Sequence, residues 1–385
     1  MKNLLLYSLL LFIAVQSNAQ IIYGSNQYTE YHKGMLPIII SVPHGGSLLP
    51  ASLPNRTCNS AVNVSDENTI ELAQQIDSSF VKATGCHPHI IYCNLHRSKL
   101  DCNRNLSDGA CGNAAAGIAW NEFHQFIDSA QATAKNENNG KAFYIDLHGH
   151  GNPIQRIELG YLLYDNELDF IDSVLNTTQY VGYSTIQNLV NNNVNNYTHA
   201  ELLRGASALG SMMGNSGYPA VPSQQIPSPG TTSNYYSGGY NVAHHTSYVL
   251  ANTVNGVQIE CNYSNIRDTY SHRKTFADSL VQVMLQYLSL HQNINMLNCS
   301  AAAIQETADL EQISIYPNPS SNLVNVLPVN SSDIFTLQII NATGATVVSV
   351  ANQKTINIAD FPKGIYLVKI VGTKKTYGTQ KLIIE

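Results

Sequence analysis

Two histidines and two acidic residues stand where an apolar run ends or a helical pattern begins. His44 follows the β-branched run Ile38–Val42, and His148 follows the apolar run 143–147. Glu260 ends the run 257–259, and Asp66 opens a stretch with apolar residues at helical spacing. Two imidazoles and a carboxylate with one open position make the common catalytic zinc shell. A metal so held lowers the pKa of its water toward neutrality and polarises a carbonyl. A further carboxylate can take the proton of that water and pass it to a leaving amine. Glycines follow both His44 and His148, so backbone there can approach a ligand closely.

Such residues need a scaffold that gathers strand ends. Segments 37–42, 89–95, 142–147, 157–164 and 257–261 read as strands, and 66–80, 120–134 and 269–290 as helices. The alternation predicts an α/β fold, a mostly parallel mixed sheet flanked by helices. Ligands of such sheets bind at the carboxyl ends of the strands, where the two histidines and Glu260 fall. Between 205 and 240 Gly, Ser, Pro, Asn and Tyr dominate and the periodicity fails, which predicts a long functional loop.

The N-terminus carries one lysine, an apolar run over 4–15 and the small residues Ser17, Asn18 and Ala19. This pattern predicts a cleaved signal peptide over 1–19, its apolar run being too short for a span of about 20 residues. Only 12% of the 385 residues are charged and the net charge is −6, which leaves no basic face for nucleic acid. Seven cysteines in an exported chain predict disulfides, and the odd count leaves at least one unpaired. Cys102 and Cys111, separated by loop-forming residues, are the expected pair. The cysteines lack a CxxC pattern, which argues against cysteine-bound zinc, and the absence of a Gly-x-Ser-x-Gly elbow argues against a serine esterase.

Four segments come in a telling order. They are Ser-Val-Pro-His-Gly-Gly at 41–46, Ser-Asp-Glu-Asn-Thr-Ile-Glu-Leu-Ala at 65–73, His-Arg-Ser-Lys-Leu-Asp-Cys-Asn-Arg at 96–104, and Asp-Leu-His-Gly-His at 146–150. Together they resemble the N-formylglutamate amidohydrolase family, which shares the fold of the zinc carboxypeptidases; the resemblance spans 37–267. It implies a zinc-exopeptidase-like domain over 20–298, with zinc held by His44, His148 and a carboxylate of the Ser-Asp-Glu segment. Asp66 is assigned that role and Glu67 is the alternative. The carboxypeptidase pattern His-x-x-Glu is broken here by Ser47, so the second ligand must come from further along. The resemblance makes Glu260 the general base, Arg97 the oxyanion partner, and Asn103 with Arg104 the holders of a substrate carboxylate, for which a guanidinium fork is suited. His150 is expected to contact substrate or orient His148, with Asp146 the other candidate for the latter task. Tyr240 and His245 are expected to line the site from the long loop.

Residues 299–311 read as a linker. After it come short β-rich runs with Gly, Asn and Pro turns, which predict a small C-terminal β-sandwich over 312–385 without catalytic histidines or cysteines. Tyr-Pro-Asn-Pro at 316–319, Phe-Pro-Lys-Gly-Ile-Tyr-Leu-Val at 361–368 and Lys-Leu-Ile-Ile at 381–384 resemble the sorting domain of the type IX secretion system. That resemblance implies passage across the outer membrane by that machinery, and a secreted or surface location.

The sequence thus predicts an exported zinc hydrolase that cleaves an amide or peptide bond near a free carboxylate. Its expected substrate is a small acylated amino acid or a peptide. The alternative is a surface or ligand-binding protein that keeps the fold without catalysis. Formylglutamate hydrolysis itself belongs to intracellular metabolism in the family, so export favours an extracellular amide or peptide.

Overall fold

The computed structural model describes residues 20–58, 61–230, 234–296, 313–328, 335–341, 346–372 and 376–385. The expected signal peptide and linker lie outside the described residues. The chain divides into two compact units at Ser300.

The first unit is built on an eight-stranded mixed sheet. Its strands are β1 (Gln20–Tyr23), β2 (Thr29–Lys33), β3 (Ile38–Val42), β4 (His89–Cys93), β5 (Phe143–His150), β6 (Ile157–Gly160), β7 (Ala220–Val221) and β8 (Asn255–Asn262). Their spatial order is β1-β2-β4-β3-β5-β8-β6-β7. The centre is parallel, through β4/β3, β3/β5 and β5/β8, while β1/β2, β2/β4 and β6/β8 are antiparallel. Strands β3, β4, β5 and β8 are buried almost throughout, as a sheet covered on both faces requires.

The helices of this unit are α1 (Thr69–Thr84), α2 (Leu106–Ala110), α3 (Ala114–Glu137), six short ones between 165 and 215, labelled α4 to α9, α10 (Tyr240–His245) and α11 (Tyr270–Gln292). Successive residues of β3 face opposite sides. Ile38, Ile40 and Val42 join one core with Leu72, Ile76 and Phe80 of α1 and Phe276, Leu280 and Met284 of α11. Ile39 joins the other core with Phe123, Ile127 and Ala130 of α3. Helix α1 stops at Gly85, whose φ of 81° takes the left-handed turn that a side chain resists. Helix α3 starts six residues before the apolar periodicity does. Asn113 caps it by accepting the N–H of Ala116, and the alanines that follow carry helix propensity without a hydrophobic signal.

The expected disulfide is corrected. Cys111 pairs with Cys58, 53 residues away, and Cys102 is a free, buried thiol. Cys111 ends α2 in a left-handed turn on the outside, whereas Cys102 points into the core beneath α3. Strand β6 is also shorter than expected, because Leu162 takes a positive φ of 67° and ends the extended run.

The second unit is all-β. Strands β9 (Ile313–Tyr316), β10 (Leu323–Pro328) and β13 (Thr355–Asn357) form one antiparallel sheet, and β11 (Phe335–Ile340), β12 (Thr346–Ala351), β14 (Gly364–Gly372) and β15 (Thr376–Ile384) form another. Alternate residues Phe335, Leu337 and Ile339 of β11 meet Val324, Val326 and Val368 in one core. Among the described residues no helix is long and apolar enough to cross a membrane.

Candidate metal centre

Three side chains converge at the carboxyl ends of β3 and β5. His44 lies two residues past β3, and its carbonyl accepts the N–H of Asp66 at 3.0 Å, which folds the segment before α1 over the strand end. His148 belongs to β5 itself. One Asp66 oxygen, Oδ2, lies 3.0 Å from His148 Nδ1 and 3.4 Å from His44 Nδ1, and accepts the N–H of Gly149 at 3.1 Å. Donor atoms of His44, Asp66 and His148 all lie within 4.8 Å of one another, and all three residues are buried. Glu67 is exposed and outside this group.

Each ring is held from behind by its own buried carboxylate. His44 Nε2 meets Asp101 Oδ1 at 2.7 Å, and His148 Nε2 meets Asp146 Oδ2 at 2.8 Å. A hydrogen bond at Nε2 fixes the ring and leaves the Nδ1 lone pair for a cation. Asp101 is itself held by the N–H of Asn103 and by Arg97 Nε, each at 3.0 Å. Ser41 Oγ and Asn241 Nδ2 hold Asp146 at 2.5 and 3.1 Å. His44 Nδ1 is buried without a hydrogen-bond partner. Such an orphan is costly in a core unless something binds it. The donor set therefore fits a metal ion.

The electrostatics favour positive charge at this point. Burial would raise the Asp66 carboxyl, but the two imidazoles outweigh it and hold it well below the usual range. Burial likewise opposes ionisation of Asp101, and His44, Arg97 and Arg56 reverse the effect. Burial would also discharge His148, yet Asp146, Asp66 and Glu260 push it well above its ordinary value. The same acids that favour a proton on His148 favour a divalent cation beside it. Burial pushes the Glu260 carboxyl up to about 8; His148 opposes this, and Asp66 and Glu158 add to it.

A cavity of about 150 Å³ opens onto these groups. His44, Asp66, His148, Glu260, Arg97, Asn103 and Arg104 all line it, so the structure brings seven of the expected residues together. Glu260 lies beside His148 on the neighbouring strand, 3.9 Å from its Nδ1. Arg97 spends Nε on Asp101 and Nη1 on the carbonyl of Val64, which leaves Nη2 open. Arg104 is exposed, and its guanidinium has no ion pair among the described residues. The amide of Asn103 is engaged, donating to Gln258 at 3.3 Å and accepting the N–H of Asn241 at 2.8 Å.

His150, Tyr240 and His245 are not brought into the cavity. His150 Nε2 meets the carbonyl of Arg156 at 2.8 Å and its Nδ1 accepts the N–H of Asn152, so His150 does not orient His148, whose Nε2 meets Asp146 at 2.8 Å and lies 3.2 Å from Asn103 Nδ2. Tyr240 stacks on His244, and His245 pairs with His124 of α3. The long loop instead presents Tyr236, Gly238 and Gly239 to the cavity. A side chain at 239 would collide with Asn103, 2.4 Å from its amide. Sequence reasoning missed Asp101, Tyr236 and Gln258. The last was open to inference, being two residues before Glu260 and so on the same strand face.

Among curated proteins none matches the chain. A candidate carboxypeptidase A from Shewanella denitrificans is similar in structure at 9% identity and a TM-score of 0.31, over 68% of this chain and 60% of that one. The product-bound cell shape determinant protein Csd4 of Helicobacter pylori gives 9% identity and a TM-score of 0.28, over 91% and 96%. An immunoglobulin-like β-sandwich protein of the DUF3244 family from Bacteroides vulgatus gives 24% and 0.17, over 19% and 83%. Residues 314–385 match the secretion system C-terminal sorting domain. The chain carries a type IX sorting domain at its C-terminus and is exported to the cell surface or beyond.

Proposed function

We propose that the first unit is a metal-dependent hydrolase of amide bonds near a free carboxylate, similar to N-formylglutamate amidohydrolases and of zinc-exopeptidase type. The observation that carries this reading is the convergence of two Nδ1 atoms on one Asp66 oxygen, beside a buried glutamate in one cavity. A divalent cation there, zinc by this donor set, would supply Lewis-acid polarisation of the scissile carbonyl and a more acidic water. Burial raises the Glu260 carboxyl, and a cation held by its neighbours Asp66 and His148 would draw it back to the ionised form, in which it takes the proton of the attacking water and returns it to the leaving amine. Arg97, steadied by Asp101, offers its open Nη2 to the oxygen where negative charge develops. Arg104 at the rim pairs with the substrate carboxylate. Asn103 holds the loop that bears Asn241 and keeps the cavity wall in place.

The experiment is metal analysis of the purified protein with a screen of N-acyl amino acids and short peptides. One zinc per chain and turnover of at least one substrate are expected. Glu260→Gln should keep the metal and lose about 10²- to 10⁴-fold in turnover. Stoichiometric metal without turnover on any substrate would favour the binding-protein alternative.

A further inference from the structure

The residues of the metal centre reach it by two routes. His44 and His148 are set by the ends of β3 and β5, whereas Asp66 and Asp101 arrive on irregular chain. From His44 to Asp66 and from Asn94 to Asn105 the described residues form neither helix nor strand, apart from a single bridge of Leu48 to Leu95. Segments without a ladder open at low free-energy cost. Yet these two must stay together, because Asp66 joins the histidines and Asp101 holds His44 from behind.

Two devices join them. Arg56, only 3% exposed, comes from the first segment. Its N–H donates to the carbonyl of Ser98 at 2.6 Å, and its guanidinium donates to the carbonyls of Arg97 and Asp108, each at 3.0 Å. Those carbonyls stand on either side of Asp101 in the chain, and Nη1 lies 3.7 Å from Asp101 Oδ2. The same Nη1 donates to the carbonyl of Val62 at 2.9 Å, on the approach to Asp66. The second device is the disulfide from Cys58 to Cys111, which ends α2. Both sulfurs lie 3.4 Å from the Asp108 carbonyl that Arg56 holds. Both cysteines are half-buried, so a thiol reagent reaches them. Without the bridge the segments rest on hydrogen bonds alone, and opening returns a buried guanidinium to water.

We propose that the Cys58–Cys111 bridge and Arg56 form a clamp that positions Asp66 and Asp101, so that the metal centre gains full affinity only in the oxidised chain. This rests on the reading of His44, Asp66 and His148 as metal ligands. The chain is exported, and disulfides form outside the cytoplasm. The centre is therefore loose before export and tightens after it. The oxidant is a protein or small-molecule disulfide. One cysteine thiolate attacks a sulfur of that disulfide and expels a thiolate. The second cysteine thiolate then attacks the mixed disulfide and expels the other, so two cysteine thiols are oxidised and one oxidant disulfide is reduced to two thiols.

The test uses the full mature protein and zinc alone, with affinity read by competition against a chelator of known strength. The double variant Cys58→Ser, Cys111→Ser should bind zinc about 10-fold more weakly than the natural protein, the low end for partners that orient a metal ligand. Arg56→Gln, with the bridge intact, should fall by a similar factor. Hydrogen exchange in both variants should quicken over 61–66 and 96–104 and stay slow in β3, β5 and β8, which separates a loosened clamp from a damaged fold. The natural protein, reduced by a phosphine and alkylated with iodoacetamide, gives the same comparison should the double variant not fold. Equal zinc affinity with and without the bridge overturns the proposal and spares the metal reading, as does exchange that quickens across the whole sheet. No zinc on the oxidised natural protein sinks the metal reading and the clamp together. Tight zinc only in the bridged protein, without turnover of any N-acyl amino acid or peptide, keeps the clamp and sinks the hydrolase.

Discussion

His44 and His148 meet edge to face with ring centroids 4.7 Å apart, while His124 and His245 stack nearly parallel at 5.1 Å. Both pairs are buried, and they serve opposite ends. In the first pair each Nε2 is tied to its own buried aspartate, so both Nδ1 atoms turn toward the Asp66 oxygen. In the second pair His124 Nδ1 meets His245 Nε2 at 2.7 Å, and among the described residues the only acid within ion-pair distance is the largely exposed Asp128, 3.2 Å from His245 Nδ1. That chain of bonds uses up the facing nitrogens, leaving no lone pairs to converge. Two adjacent imidazoles thus become a cation site only when carboxylates behind them decide which nitrogen faces forward.

The largest effect should separate the pairs outright. His148→Ala is expected to lower metal affinity by at least about 100-fold and to abolish turnover, because an open shell of three protein ligands loses one. His124→Ala should keep full metal stoichiometry and lose only stability. Elemental analysis after dialysis, read beside melting temperature, checks both variants. Metal loss in the His124 variant would break the contrast.

A smaller effect tests the carboxylates behind the rings. Asp101→Asn and Asp146→Asn each keep the shape but weaken the hold on Nε2. Each should cost about 10- to 100-fold in metal affinity, as such outer partners commonly do. Competition with a chelator of known affinity measures it. An unchanged affinity in both would mean that packing alone orients the imidazoles.

The first pair was legible in the sequence, and its supports only partly so. His44, His148 and Glu260 follow apolar runs that announce strands, and parallel strands bring their ends together, so one-dimensional spacing pointed at one place. Asp66 and Asp146 sit beside recognisable motifs. Asp101 was in plain sight between Arg97 and Asn103, but nothing local says that its side chain turns back across the sheet to His44. The loop residues were harder still. Tyr236 and Tyr240 are alike in composition and context, and which one faces the cavity depends on where α10 begins. Its start at Tyr240 turns that ring against Trp120 and His124. The cysteine error has the same root, because nearness in sequence said nothing about Cys102 pointing inward and Cys111 outward.

The smallest effect concerns protons at the second pair. Burial, and then the neighbouring His245, lowers the pKa of His124 to about 3, with Asp128 and Asp146 pulling the other way and His244 adding to the fall. In the unfolded chain the ordinary value is near 6.5. Between those values the unfolded state binds the extra proton, so stability is full above about pH 6.5 and declines as pH drops toward 3. His124→Gln removes that titration while leaving a polar group in place. Melting temperature followed from pH 8 to pH 4 should fall less steeply in the variant than in the natural protein. The carboxylates of the metal centre are present in both proteins, so their own acid sensitivity cancels in the difference. Parallel curves would mean that His124 is protonated in the fold as readily as outside it, and the pair would then be a shared-proton cation rather than a neutral stack.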